Sequence, residues 1–134
     1  MAVGKNNSLV HFQSGHDSQS SIQSNSSSTT ISVNCTSLDN YFQKSKLDIL
    51  KIDVEGFEEK VLEGATNLLH DSERCPRLIY IEVHPFAWSN VGTSWDSLLN
   101  FLKRHNYDVL TLDGMHPSSI TWWGEIVALK KSIN

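Results

Sequence analysis

The chain has 134 residues, 39% hydrophobic and 19% charged, with a formal net charge of −4. That length suits one domain with a buried core, and the composition excludes a disordered polymer. The acidic balance, with no basic stripe, argues against a nucleic-acid partner, and no apolar run approaches the roughly 20 residues of a membrane span.

In chain order, residues 8–12 (Ser-Leu-Val-His-Phe) read as a short strand. From Gln13 to Thr30 eight of eighteen residues are serine and no apolar period exists, which predicts a loop serving as a flexible connector. Residues 30–35 alternate apolar and polar, the pattern of a half-buried strand. Leu38-Asp-Asn-Tyr-Phe predicts a short helical turn. Residues 46–54 are nearly continuous in apolar character, as expected of a central strand covered on both faces.

After Gly56, apolar residues fall at Phe57, Val61, Leu62, Ala65, Leu68 and Leu69, the 3.6-residue period of one helix with a buried face. Gly64 lies inside it, at a cost of about 1 kcal/mol relative to Ala, and is expected to permit close packing on the sheet. Pro76 punctuates, and residues 78–84 form a second buried strand. Thr93 reads as an N-cap with Asp96 three positions on, and Trp95, Leu98, Leu99 and Leu102 give the next helical face. A third strand follows at 107–112, a turn at 114–119, and a last strand at 126–129 that a short connection makes antiparallel to its predecessor. Alternating strands and helices predict right-handed crossovers onto a largely parallel sheet.

Cys35 and Cys75 match no metal or redox spacing and read as reduced thiols. Together with the lack of an apolar leader, they predict a cytoplasmic setting. His11, His16, His70, His105 and His116 show no ligand spacing and read as surface residues. Trp122-Trp123 reads as core or interface packing rather than a stacking platform.

Chemistry concentrates at two strand ends. Asp53 and Glu55 share a face of the first central strand, and Glu82 and His84 share a face of the next. Neighbouring strands lie about 4.8 Å apart, so the four groups are expected to converge on one crevice at the carboxyl edge of the sheet, where open α/β sheets bind ligands. Clustered carboxylates beside an imidazole suit a general base, and the same oxygen set suits Mg²⁺ or Mn²⁺. Two plainer roles compete: Glu55 as a negative charge at a helix N-terminus, and His84 as a rim residue held extended by Pro85.

Four stretches carry a resemblance: Thr36-Ser-Leu-Asp; Leu47-Asp-Ile-Leu-Lys-Ile-Asp-Val-Glu-Gly-Phe-Glu; Val61-Leu-Glu-Gly-Ala; and Ile81-Glu-Val-His. They resemble the signature stretches of FkbM-type methyltransferases, over roughly residues 2–130 and most densely over 37–65. The resemblance implies an S-adenosylmethionine-dependent enzyme that methylates a hydroxyl of a sugar or secondary metabolite. It implies Asp39 and Asp53 near the cofactor, Asp53, Glu55 and His84 as catalytic groups, and Glu82 and His84 on the acceptor side, with no metal assigned.

The glycine-rich turn that such enzymes place against the cofactor has no counterpart here, since no two glycines lie closer than Gly56 and Gly64. The resemblance therefore implies a partial domain over 1–134. Its fold would be an incomplete Rossmann-like one, a mostly parallel sheet with flanking helices that lacks the first strands. Cofactor binding by this chain alone would be weak or nil. The implied partner is a small hydroxyl acceptor or glycan, with neither nucleic acid nor membrane, and an open strand edge is expected to self-associate or pair with another chain. Two rival readings stand beside this one. One is a non-catalytic half-domain docking on a separate N-terminal half; the other is a metal-dependent hydrolase using Asp53, Glu55, Glu82 and His84.

Overall fold

The computed structural model describes residues 1–13, 22–23 and 30–132. The serine-rich loop expected over 13–30 lies largely outside the described residues. Among the described residues, two four-stranded sheets and five helices make up a mixed α/β fold.

The first sheet comprises β1 (Ala2–Val3), β2 (Ser8–Gln13), β3 (Ile22–Gln23) and β4 (Thr30–Thr36), in the order β1-β4-β2-β3. β2 and β4 pair antiparallel from Ser8 opposite Cys35 to Gln13 opposite Thr30, and β1 runs parallel to β4. The second sheet comprises β5 (Ile49–Ile52), β6 (Leu78–Val83), β7 (Tyr107–Leu110) and β8 (Gly124–Lys130), in the order β5-β6-β8-β7. β5 and β6 are parallel, while β8 runs antiparallel to both β6 and β7. The pairing of β7 with β8 matches the expectation from their short connection. The expectation of a mostly parallel sheet does not hold, because β8 inserts between β6 and β7 and reverses direction.

Five helices connect these strands: α1 (Leu38–Tyr41), α2 (Glu58–Glu63), α3 (Thr66–His70), α4 (Pro85–Trp88) and α5 (Trp95–Arg104). One face of the second sheet supplies Ile52, Ile79, Ile81, Val83, Tyr107, Val109, Ile126 and Ala128 to the core, packed with Val61, Leu62, Leu68, Leu69, Leu98, Phe101 and Leu102 of the helices. Burying each such side chain contributes about 1.5–3 kcal/mol relative to leaving it exposed. The other face carries half-buried Tyr80, Glu82, Glu125 and Val127 and exposed Lys51 and Leu129. β5 is therefore not a central strand covered on both faces: it pairs only with β6 among the described residues, and Ile49 is 51% exposed.

The single helix expected over 57–69 is broken at Gly64 and Ala65. Asp39 explains the break. Its two carboxylate oxygens accept from the Asn67 and Leu68 backbone N–H groups at 3.0 and 2.8 Å, which starts α3 as a separate helix. Gly64 permits a close approach, as expected, but to the backbone after β1 rather than to the main sheet: a Cβ there would lie 2.2 Å from the Gly4 carbonyl oxygen. The cap of α5 is Ser94 rather than Thr93. Its hydroxyl accepts from the Ser97 N–H and the Ser97 hydroxyl accepts from the Ser94 N–H, a reciprocal capping box.

Candidate functional site

β5 and β6 run parallel, so both deliver their carboxyl ends to the same edge of the sheet. After β5 the chain turns sharply through Glu55 (φ 48°) and Gly56 (φ 99°), two successive left-handed residues. Gly56 is required there twice over, by its φ and because a Cβ would meet the Ala87 Cβ at 2.5 Å. The turn throws Glu55 toward the end of β6, where His84 opens α4 with Pro85 in its first turn.

His84 is only 4% exposed, so it is not a rim residue. Its Nδ1 lies 2.8 Å from Glu58 Oε1, and its Nε2 faces Glu55 Oε2 at 3.7 Å. Atoms of Asp53, Glu55 and His84 lie within 4.8 Å of one another. Three of the four groups expected to converge thus do so, and the trio has the spacing and the oxygen and nitrogen donors that a divalent cation takes.

The fourth expected group stands apart. Glu82 points to the half-exposed face of the sheet, where Lys51 Nζ reaches it at 3.3 Å and Asp53 at 3.2 Å. Those two bonds hold the Lys51 ammonium above its ordinary range. On the same face the Tyr80 hydroxyl donates to Glu125 and is pushed up to about 12, chiefly by that bond. Asp39 has no partner in the cluster. It caps α3 and lines a polar groove with Lys5, Asn7, Ser37 and Asn40.

Sequence reasoning left Glu58 without a role. It is fully buried, and accepts from the Gly56 N–H at 2.8 Å and from the Trp88 indole N–H at 2.7 Å besides facing His84. Its position carried a signal: it shares the helical face of Val61, Leu62 and Ala65, where a carboxylate needs partners to be buried. An aromatic wall adjoins the cluster. Phe86 sets its edge against the His84 ring (centroids 5.8 Å apart, 87° between planes), and Trp122 lies 5.1 Å beyond it. Of the core or interface packing expected for the tryptophan pair, the core half does not hold, since Trp122 is 70% and Trp123 52% exposed. His105 is buried as well, contrary to a surface placement.

The fold is mixed α/β, and its parallel strand pair brings a buried histidine and two acids to the carboxyl edge, where open α/β sheets place their ligands. A family model described as the methyltransferase FkbM domain matches residues 2–109, and the chain belongs to that family. No curated protein and no solved structure matches it.

The family's usual methyl donor, S-adenosylmethionine, finds no cradle among the described residues. The sequence holds no G-x-G turn: Gly56, Gly64 and Gly124 pack on Ala87, Gly4 and Ile120, and Gly92 and Gly114, which stand in open space, lie far apart in the chain.

Proposed function

We propose that this chain supplies the acceptor side of an O-methyltransferase site, with a small polyhydroxylated ring such as a glycan unit as acceptor. The observation that carries this reading is the buried His84, its Nε2 3.7 Å from Glu55 Oε2 and grouped with Asp53 and Glu55 just past the carboxyl ends of β5 and β6. A neutral imidazole there takes the proton of an acceptor hydroxyl, and the resulting imidazolium sits between Glu58 and Glu55. General-base assistance of this kind contributes about 10²–10⁴-fold in rate. Asp53 and Glu55 accept hydrogen bonds from neighbouring hydroxyls and orient the ring. Phe86 and Trp122 offer it a flat apolar wall, the mix of apolar surface and few polar groups typical of small-molecule sites.

We read the second sheet as part of a Rossmann-like methyltransferase sheet, whose donor-binding strands would pair with the open edge of β5 and cover its half-exposed face. In this reading the donor is S-adenosylmethionine and is held by those elements. Free, buried Cys35 and Cys75 suit a reducing, cytoplasmic setting. Among the described residues no helix is long and apolar enough to cross a membrane.

The acceptor reading is tested by nuclear magnetic resonance titration of the chain with a methyl glycoside at millimolar concentration. Saturable shifts of the Trp122 indole N–H and the His84 ring are expected, and are lost in Trp122→Ala. Shifts absent from both residues, or confined to the groove around Asp39, would remove the basis for the reading.

A further inference from the structure

His84 presents two nitrogens, and only one of them reaches the acceptor side. Each faces a carboxylate, but Glu58 Oε1 lies 2.8 Å from Nδ1, within hydrogen-bond distance, whereas Glu55 Oε2 lies 3.7 Å from Nε2. The Glu58 carboxylate has no exposure to solvent, and its two oxygens are met by three nitrogens from three places in the chain. The Gly56 N–H comes from the turn after β5 and the His84 Nδ1 from the end of β6, both to Oε1 at 2.8 Å. The Trp88 indole N–H comes from α4 to Oε2 at 2.7 Å. A backbone amide and an indole can only donate. With both aimed at it, Glu58 acts as the acceptor, and the ring nitrogen facing the same oxygen is the one that donates.

The clamp is rigid. Trp88 is itself buried and stacks on Trp95 of α5 at 6.4 Å with 14° between planes, so the carboxylate is tied through Trp88 to the longest helix. Gly56 cannot back away because Ala87 fills the space beside it. Phe86 meets the His84 ring edge-on and restricts its rotation.

We propose that Glu58 is the positioning residue of this site, holding the neutral His84 ring with its proton on Nδ1 so that Nε2 is left as the free base on the acceptor side. The proposal rests on the reading of His84 as the base, and extends it to a residue that never touches the acceptor. An ionised carboxylate bonded to the far nitrogen also stabilises the imidazolium as the near nitrogen takes up a proton. Glu58→Gln breaks this arrangement. An amide offers one accepting and one donating end, so its NH₂ either opposes the Trp88 indole N–H or faces His84 Nδ1 and forces the ring proton to Nε2.

The test is the ring-nitrogen spectrum of His84 in the full chain, recorded with ¹⁵N-labelled histidine and without donor or acceptor. At a pH where the ring is neutral, the expected result is a protonated Nδ1 and a pyridine-type Nε2. Glu58→Gln is expected to move a measurable share of the proton to Nε2. Glu58→Asp, which keeps two accepting oxygens, is expected to retain the Nδ1 form. Trp88→Phe lowers the melting temperature by loosening the clamp but is expected to leave the ring proton in place, and it serves if Glu58→Gln does not fold.

A wild-type ring protonated on Nε2 overturns the proposal. So does a Glu58→Gln spectrum identical to wild type, or a Trp88→Phe change as large as that expected from Glu58→Gln. Because no acceptor is present, a tautomer found as expected with no glycoside response would end the acceptor reading while leaving the positioning role intact.

Discussion

At the scale of single residues, buried polar side chains in this protein are held by specific partners, and the exceptions are informative. His105 donates from Nδ1 to the Phe101 carbonyl at 2.8 Å, while its Nε2 is buried without a partner among the described residues. Burial is the main cause holding its pKa below the ordinary histidine value, with His70, Lys130 and Arg104 adding repulsion; the Phe101 carbonyl works in the opposite direction. The sign follows from linkage. The unfolded chain binds this proton more readily than the folded one, so stability is complete above about pH 6.5 and falls as pH drops from there through the folded value. Thermal unfolding scans between pH 7.5 and 5 should show this loss, and His105→Phe should flatten its slope; an unchanged slope would remove His105 as the cause. His105 carried a sign of burial that a surface reading passes over: it falls three, four and seven residues after Leu102, Phe101 and Leu98, in line with the buried face of α5. Glu58 was the more legible case, a carboxylate sitting on an apolar helical face.

At the scale of elements, periodicity located the strands and helices well and their ends less well. The helix expected over 57–69 was broken by Asp39, a residue distant in sequence whose carboxylate starts α3. Local pattern cannot announce such a cap. The start of α5 moved from Thr93 to Ser94 for a related reason: the partner in the capping box is the Ser97 hydroxyl rather than the Asp96 carboxylate. Ser97 has a second task. Its hydroxyl lies 2.8 Å from Glu59 Oε2, linking α5 to the buried acid on α2. Ser94→Ala should therefore cost about 1 kcal/mol, the usual worth of an N-cap. Ser97→Ala should cost more, about 1–3 kcal/mol, because it also leaves a buried carboxylate oxygen without its donor. Chemical denaturation of the two variants checks the order; equal losses would mean that the Ser97–Glu59 bond contributes nothing.

At the scale of the whole molecule, the sequence made the α/β class and the converging strand ends legible, because both follow from short-range pattern and strand polarity. It did not reveal that β8 enters between β6 and β7, since strand order depends on long-range pairing. Nor did it reveal that β5 would lie at an edge: the apolar run at residues 46–54 reads as central because Ile49, Leu50 and Ile52 are apolar whether or not a neighbour covers them. In the folded chain Ile49 stands exposed on a strand with one partner, and one face of the second sheet holds Lys51, Tyr80, Glu82 and Glu125 instead of a packed core. The Asp53–Glu55–His84 cluster is thus assembled with His84 buried and Asp53 exposed, whereas β5 has an open edge among the described residues and one face of its sheet is half-exposed. Calorimetric titration of the chain with S-adenosylmethionine tests this division most directly. The account predicts no binding at micromolar concentration, and a micromolar Kd for the monomeric chain would contradict it.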